Sequence, residues 1–151
     1  MFKIALIHPD IPQNTGNIGR LCVGLDIELH LVHPMGFVLD DKKIRRSGLD
    51  YWQDLKLFQH ASVDVFLKQF QTARLLFLTT KAKKIYSDIG FQHDDVIVFG
   101  SETKGLPENL LKQYWDQAIT IPMPGKVRSL NVSNAASTVA YEVYRQLNGT
   151  F

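Results

Sequence analysis

Three short, uninterrupted apolar segments, each followed by a polar loop, constrain the fold of this 151-residue chain most strongly. They lie within residues 3–8, 75–78 and 96–99. Four consecutive apolar residues are typical of a strand buried on both faces, and such strands belong to parallel sheets. Weaker segments predict further strands at residues 28–32, 55–58 and 118–121. We therefore predict a mostly parallel sheet.

Apolar residues at helical spacing separate the predicted strands. The first such helix follows the turn residues Pro12, Asn14 and Gly16. Further helices are predicted at residues 63–70, 107–114 and from 131 to the stop signal Gly149. Strands that alternate with helices predict an α/β fold with helices on both faces of the sheet, in a single domain over residues 1–151.

The composition narrows the classes of function. Cys22 is the only cysteine, so no disulfide can form within the chain, and its apolar neighbours predict a packed thiol. The five histidines are scattered without a zinc-ligand spacing, so we predict no metal. The N-terminal apolar segment meets His8, Pro9 and Asp10 too early for a signal peptide or a membrane span. We therefore predict a cytoplasmic protein without a membrane partner.

Basic residues are concentrated locally, although the formal net charge is only +2. Four cations fall within one short segment, at Lys42, Lys43, Arg45 and Arg46. Others stand at Lys81, Lys83, Lys84, Lys126 and Arg128. Such a concentration is typical either of a surface that contacts nucleic acid or of an ordinary solvated face, and charge alone leaves both open.

A rigid polar loop at residues 121–134 runs directly into the last predicted helix. Two prolines and Gly125 restrict its backbone. Ser129, Asn131 and Ser133 bring hydroxyl and amide groups to the N-terminus of the helix. This pattern predicts a binding site for a polar small molecule, with ordinary helix capping as the alternative.

The segment at residues 100–107 has a similar character, because it follows a predicted strand and contains Gly100 and Gly105. It is not a phosphate loop, since Leu106 stands where that motif requires lysine. A glycine turn still allows the backbone to approach a ligand, and Glu102 is available as a hydrogen-bond acceptor. A tight turn before a helix explains the segment equally well.

The segment at residues 14–20 lies on the first loop and helix and places Asn14, Asn17 and Arg20 close together. The guanidinium of Arg20 is a planar fork of donors that suits a phosphate. The amides could bond a ribose hydroxyl. Alternatively, the two asparagines cap the helix and Arg20 is a surface charge.

Taken from the N-terminus to the C-terminus, the three segments resemble the SPOUT-class RNA 2′-O-ribose methyltransferases. These enzymes share the elements NxGNxxR, GxExxG after a strand, and IPM followed by SLNVSNA, in that chain order. The resemblance extends over essentially the whole chain. Residues 33–37 and 40–51 are similar to the TrmL-type subgroup, which methylates the ribose of the wobble nucleotide of leucine tRNAs. That nucleotide is cytidine or uridine at position 34, and the methyl donor is S-adenosylmethionine. The resemblance therefore implies this activity, this cofactor and tRNA as a partner.

The resemblance also implies a site and an assembly. Members of the family form a trefoil knot with the C-terminal segment, and the knot loops hold the cofactor. They are homodimers packed through the first and last helices, so Arg20 of one subunit would meet the cofactor of the other. The implied cofactor contacts are Leu78, Thr79, Gly100, Glu102, Gly105, Ile121, Met123, Ser129, Leu130 and Asn131. The implied catalytic residues are Arg20, Asn14 and Ser129.

Three alternative functions are weighed against this resemblance. Related enzymes methylate another tRNA site or ribosomal RNA, although the latter commonly carry an N-terminal RNA-binding domain before the first strand. A noncatalytic RNA-binding module would be expected to lack Arg20 or the cofactor loops, and the sequence retains both. A flavodoxin-like or dinucleotide-binding protein is disfavoured, because no matching phosphate fingerprint follows the first strand.

Overall fold

The computed structural model describes residues 1–39 and 50–149. The sheet within these residues has six strands: β1 (Lys3–Ile7), β2 (Glu28–Val32), β3 (Leu57–His60), β4 (Leu75–Leu78), β5 (Val96–Phe99) and β6 (Ala118–Ile119). The α-helices are α1 (Pro12–Gly24), α2 (Val63–Gln69), α3 (Glu108–Gln113) and α4 (Val132–Asn148). Short 3-10 helices lie at Asp50–Asp54, Tyr86–Asp88 and Trp115–Gln117.

The strands are ordered β3-β2-β1-β5-β4-β6, and every paired strand in this sheet is parallel to its neighbour. In the central pairings, Ile4 lies opposite Leu29 of β2 and Ile97 of β5. The predicted parallel α/β sheet is therefore confirmed. Because all strands point the same way, their carboxyl ends meet at one edge, where the polar segments emerge.

Helices cover both faces of the sheet, as predicted. Ile4 and Leu6 of β1 belong to a buried apolar cluster that includes residues of α1 and α4. Ala5 and Ile7, which point to the opposite face, belong to a second cluster with residues of α2 and α3. Alternate side chains of a strand face opposite sides, so a strand covered on both sides must be apolar throughout. This is why β1, β4 and β5 read as continuous apolar segments.

The first helix begins earlier than predicted. We expected Pro12, Asn14 and Gly16 in a turn, but all three lie within α1, which starts at Pro12. Proline is well tolerated at a first helical position, since its missing N–H would have no partner in the helix. The preceding residue, Ile11, makes no side-chain capping bond, so neither asparagine is the N-cap. Asn14 therefore belongs to the helix and not to a loop, and its side chain is buried.

Two strand predictions differ at their ends. The predicted strand at residues 55–58 is observed as β3 at Leu57–His60, because the Leu55 N–H donates to the Trp52 carbonyl and closes a 3-10 turn. The last strand ends at Ile119 rather than at residue 121. Thr120 instead forms an isolated parallel bridge with Ile85. Local apolar content predicted both strands, whereas their bounds depend on which backbone partners are available.

The basic segment with Lys42, Lys43, Arg45 and Arg46 lies outside the described residues, so its predicted contact with nucleic acid stays a prediction. The trefoil knot is likewise still a prediction. Within residues 1–39 and 50–149, no helix is both long enough and apolar enough to cross a lipid bilayer.

Candidate active site

A cavity of about 560 Å³ lies at the carboxyl edge of the sheet, between the loops that follow β4, β5 and β6. Its volume falls in the range of small-molecule sites, about 300–1,000 Å³. The cavity is lined by all ten predicted cofactor contacts, namely Leu78, Thr79, Gly100, Glu102, Gly105, Ile121, Met123, Ser129, Leu130 and Asn131. Asn14 of α1 lines it too. Segments far apart in the sequence thus converge on one space, and their contact with a cofactor stays a prediction.

The turn after β5 forms one wall of the cavity and is held closed by its own backbone. The Ser101 N–H donates to the Gly105 carbonyl over 3.1 Å, and the Gly105 N–H donates back over 2.9 Å. Gly105 has a φ of 70°, a conformation that glycine adopts readily. A Cβ on Gly100 would lie only 2.1 Å from the Gly105 carbonyl carbon. Glycine is required at position 100 because the turn folds back onto it.

A hydrogen-bond chain joins the three predicted segments. The Asn14 amide donates to Glu102 Oε1 over 3.0 Å, and the Asn131 amide donates to Asn14 Oδ1 over 3.0 Å. Asn131 Oδ1 in turn accepts from the Ser133 N–H over 2.9 Å, which caps α4. Asn14 therefore uses both ends of its side chain inside the protein. It links α1 to the turn after β5 and to the start of α4.

The second oxygen of Glu102 is also occupied. Oε2 accepts from the Asp10 N–H over 2.7 Å. The Asp10 carboxylate accepts from the Thr103 hydroxyl, and this bond lowers the pKa of Asp10 below its usual value. Glu102 is thus a hydrogen-bond acceptor, as predicted, but its donors belong to the protein itself. Glu102 fastens the turn after β5 to the start of α1.

Ser129 and Leu130 lie where the C-terminal polar loop passes the cavity. The Ser129 side chain is exposed, and no hydrogen bond of its hydroxyl is found within the described residues. Leu130 is 38% exposed although it is apolar. An apolar and a hydroxyl side chain next to each other at a cavity suit a ligand with both an apolar ring and polar groups.

Arg20 does not line the cavity of its own chain. Its side chain is exposed on α1, and its guanidinium carbon lies over the Tyr51 ring, 5.7 Å from the centroid. The Tyr51 hydroxyl donates to the Gly16 carbonyl over 2.9 Å, which fixes the ring against α1. The structure therefore separates Arg20 from the other predicted catalytic residues, Asn14 and Ser129.

Several residues that line the cavity were missed by the sequence analysis as site residues. They include Ile11, Thr80, Lys81, Leu106, Thr120, Val132 and Ala135. Most are sequence neighbours of predicted contacts, so proximity to a motif was the available signal. The hydrogen bond between Asp10 and Thr103 was not predicted, because it joins residues 93 positions apart.

The remaining buried titratable groups lie away from this cavity. Burial raises the pKa of Cys22 to about 12, which keeps the thiol protonated and agrees with a packing role. His30 and His60 form a buried pair, with 3.0 Å between His30 Nδ1 and His60 Nε2. No group of His, Cys, Asp and Glu arranged to hold a metal ion is found in the described part of the chain.

A parallel sheet with a polar cavity at its carboxyl edge defines an α/β protein that binds a small molecule between its strand loops. The chain belongs to the SpoU rRNA methylase family, which it matches over residues 1–141. It is thus a methylase, and its parallel sheet with helices agrees with the α/β fold of that family.

Individual relatives agree with this assignment. A protein of Saccharophagus degradans named tRNA (cytidine(34)-2′-O)-methyltransferase is 47% identical over 148 residues, which cover 97% of this chain and 96% of that protein. A solved structure described as "Structural insights into the 2-OH methylation of C/U34 on tRNA" is 41% identical, with a TM-score of 0.92 and coverage of 99% and 97%. The SpoU methyltransferase AviRb from Streptomyces viridochromogenes, in complex with the cofactor AdoMet, is 25% identical, with a TM-score of 0.80. That alignment covers this whole chain and 59% of AviRb.

Proposed function

We propose that this protein transfers a methyl group from S-adenosylmethionine to the ribose 2′-hydroxyl of the wobble nucleotide, cytidine or uridine 34, of leucine tRNAs. We place it in the cytoplasm, as a homodimer packed through α1 and α4. The observation that carries the proposal is the convergence of three separated polar segments on one cavity. The names of the full-length relatives support tRNA and position 34.

The cavity fits the cofactor in size and chemistry. It combines apolar side chains such as Leu78, Ile121 and Met123 with the backbone of the turn after β5. A purine ring requires an apolar slot, and a ribose and an amino acid require polar groups at its ends. Leu78, Gly100, Ile121 and Leu130 would hold the adenosine, and Ser129 would reach a polar group. The cofactor supplies an electrophilic methyl group on a sulfonium.

Arg20 would grip a phosphate of the RNA and orient the 2′-oxygen. Arginine remains protonated under all physiological conditions, so it cannot act as the base. Its stacking over Tyr51 places the guanidinium on the surface of α1, where an incoming strand can reach it. Alignment of the hydroxyl with the methyl group is the main source of rate, because methyl transfer from a sulfonium disperses charge rather than creating it.

The dimer would complete the site. Arg20 lies outside the cavity of its own chain, and α1 and α4 belong to the same apolar cluster on one face of the sheet. Tyr141, on α4, is 52% exposed and could contribute to the pairing surface. If two chains pair through these helices, Arg20 of each approaches the cavity of the other. Sedimentation analysis should then show a dimer at micromolar concentration.

The direct test is incubation of the protein with labelled S-adenosylmethionine and separate tRNA transcripts, followed by nucleoside analysis. We expect 2′-O-methylcytidine or 2′-O-methyluridine at position 34 of leucine tRNAs and no label in serine tRNAs, which serve as the control. Label at another position, or in ribosomal RNA fragments only, would show that the enzyme methylates a different RNA site from the one proposed. No transfer to any RNA would overturn the proposed activity.

Replacement of Arg20 separates substrate orientation from cofactor binding. Arg20→Ala should reduce turnover by at least about 100-fold, the loss expected when a reacting group is misplaced by about 1 Å. Cofactor affinity measured by calorimetry should change little, because in this proposal Arg20 holds a phosphate of the RNA and does not contact the adenosine. Equal losses of cofactor affinity and turnover would show that Arg20 acts through the cofactor instead.

A further inference from the structure

Two lysines at the cavity carry charges that the protein leaves unpaired. Lys81 lies in the loop after β4, Lys104 lies in the turn after β5, and both line the cavity. Both side chains are exposed. Neither ammonium has a carboxylate within ion-pair distance among the described residues. Lys126 and Arg128, also exposed, stand in the loop that leads to Ser129.

Several cations away from the cavity are paired. Among the described residues, five lysines and arginines form ion pairs that do not line the cavity: Lys3 with Asp94, Lys56 with Asp26, Arg74 with Asp95, Lys112 with Glu108 and Arg145 with Glu142. Lys81 and Lys104 thus place two positive charges, unpaired within the described residues, at the cavity, in a chain whose formal net charge is only +2.

The nearby carboxylates are held by other donors instead of pairing with these lysines. Both oxygens of Glu102 already accept hydrogen bonds, one from the Asn14 amide and one from the Asp10 N–H. The Asp10 carboxylate accepts from the Thr103 hydroxyl, which lowers the pKa of Asp10 more than the charge of Lys104 does. The ammonium groups of Lys81 and Lys104 are consequently available to an external anion.

The backbone at each lysine is fixed although its side chain is free. The Lys104 N–H donates to Ser101 Oγ over 3.0 Å, inside a turn already closed by two backbone bonds. The Lys81 N–H donates to Thr79 Oγ1 over 3.3 Å. A side chain attached to a rigid backbone loses less freedom when it binds, which favours the contact.

We propose that Lys81 and Lys104 form a phosphate-binding rim that holds the RNA backbone on either side of the nucleotide to be methylated. This proposal rests on the proposed function, because it takes RNA as the substrate. Phosphates flank every ribose, so two cations on the separate loops after β4 and β5 can position the sugar between them. The other anion that could reach this place is the carboxylate of the cofactor, and the two sources are separable by experiment.

The test uses Lys81→Gln and Lys104→Gln, with Lys68→Gln as the matched control. Lys68 is an exposed lysine on α2 without an ion pair in the described structure, and it does not line the cavity. The affinity for a leucine tRNA is measured over a series of salt concentrations, and cofactor affinity is measured by calorimetry at one salt concentration. Each rim variant should lower the slope of log K against log salt by about one, since one phosphate contact is lost. Lys68→Gln should leave the slope unchanged, and all three variants should bind the cofactor normally.

The outcomes distinguish this proposal from the proposed function. A salt slope unchanged in both rim variants, while the wild type methylates tRNA, overturns the rim alone. Weakened cofactor binding with an unchanged slope assigns the lysines to the cofactor carboxylate and also overturns it. A wild type that transfers no methyl group overturns the proposed function, and the rim is then decided by the salt dependence of tRNA binding. Thermal unfolding of each variant checks that the fold is intact.

Discussion

Replacement of Gly100 by alanine tests whether the turn after β5 shapes the cofactor cavity. The added Cβ would lie 2.1 Å from the Gly105 carbonyl carbon and 2.2 Å from the Leu106 nitrogen. Carbon atoms in contact are normally separated by about 3.5–4.0 Å. The obstructing atoms belong to the backbone, so a side-chain rotation cannot relieve the clash. The turn must move by more than about 1 Å.

The size of the effect follows from what the turn does. Gly105 and Leu106 both line the cavity, so this displacement changes the wall that faces the ligand. Misplacement of a binding group by about 1 Å reduces rates by on the order of 100-fold. Overpacking typically destabilises a protein by about 1–3 kcal/mol, which a domain with about 5–15 kcal/mol of stability tolerates. Gly100→Ala should therefore remain folded while its cofactor dissociation constant rises at least about tenfold, equivalent to about 1.4 kcal/mol.

Calorimetry with S-adenosylmethionine measures the dissociation constant, and thermal unfolding measures stability in the same preparation. Gly125→Ala is the matched control, because it lies in the loop that passes the cavity and its added Cβ would meet no atom within 4 Å. The control should bind the cofactor like the wild type. Wild-type affinity and an unchanged unfolding temperature in Gly100→Ala would refute the reasoning, since the turn would then be able to open without affecting the site.

Two further predictions concern hydrogen-bonded side chains. Asn14→Ala leaves Glu102 Oε1 and the Asn131 amide without their partner, so urea unfolding should show a loss of about 1–3 kcal/mol; an unchanged midpoint would mean that water replaces the amide. The second prediction concerns His30, because burial lowers its pKa in the folded protein to about 4. In the unfolded chain this histidine takes up a proton as the pH falls below about 6.5. In the folded protein it does so only near pH 4. Stability should therefore fall as the pH is lowered between these values. His30→Leu should remove much of this pH dependence, and an equal dependence in the variant would assign it to other groups, among them His60, whose pKa burial also lowers.

The sequence was sufficient to predict the sheet because burial on both faces leaves a local pattern. The apolar segments at β1, β4 and β5 could be identified without knowing their neighbours, and the helix stripes predicted that both faces are covered. The order of the three polar segments predicted the family, and all ten predicted cofactor contacts line one cavity. The sheet depends on residue type and spacing, which the chain carries directly, whereas the contacts were implied by the resemblance to the family.

Only the tertiary structure decided what these polar groups bind. Asn14 could be read as a cap or a ribose contact, but the fold brings it to Glu102 and Asn131, 88 and 117 positions away, and both ends of its amide are used there. The sequence left Glu102 as an available acceptor, but in the fold its two oxygens accept from the Asn14 amide and from the Asp10 N–H. Arg20, grouped with Asn14 by spacing, lies apart from the cavity over Tyr51. Strand order determines which loops become neighbours, and periodicity within one segment contains no information about that order.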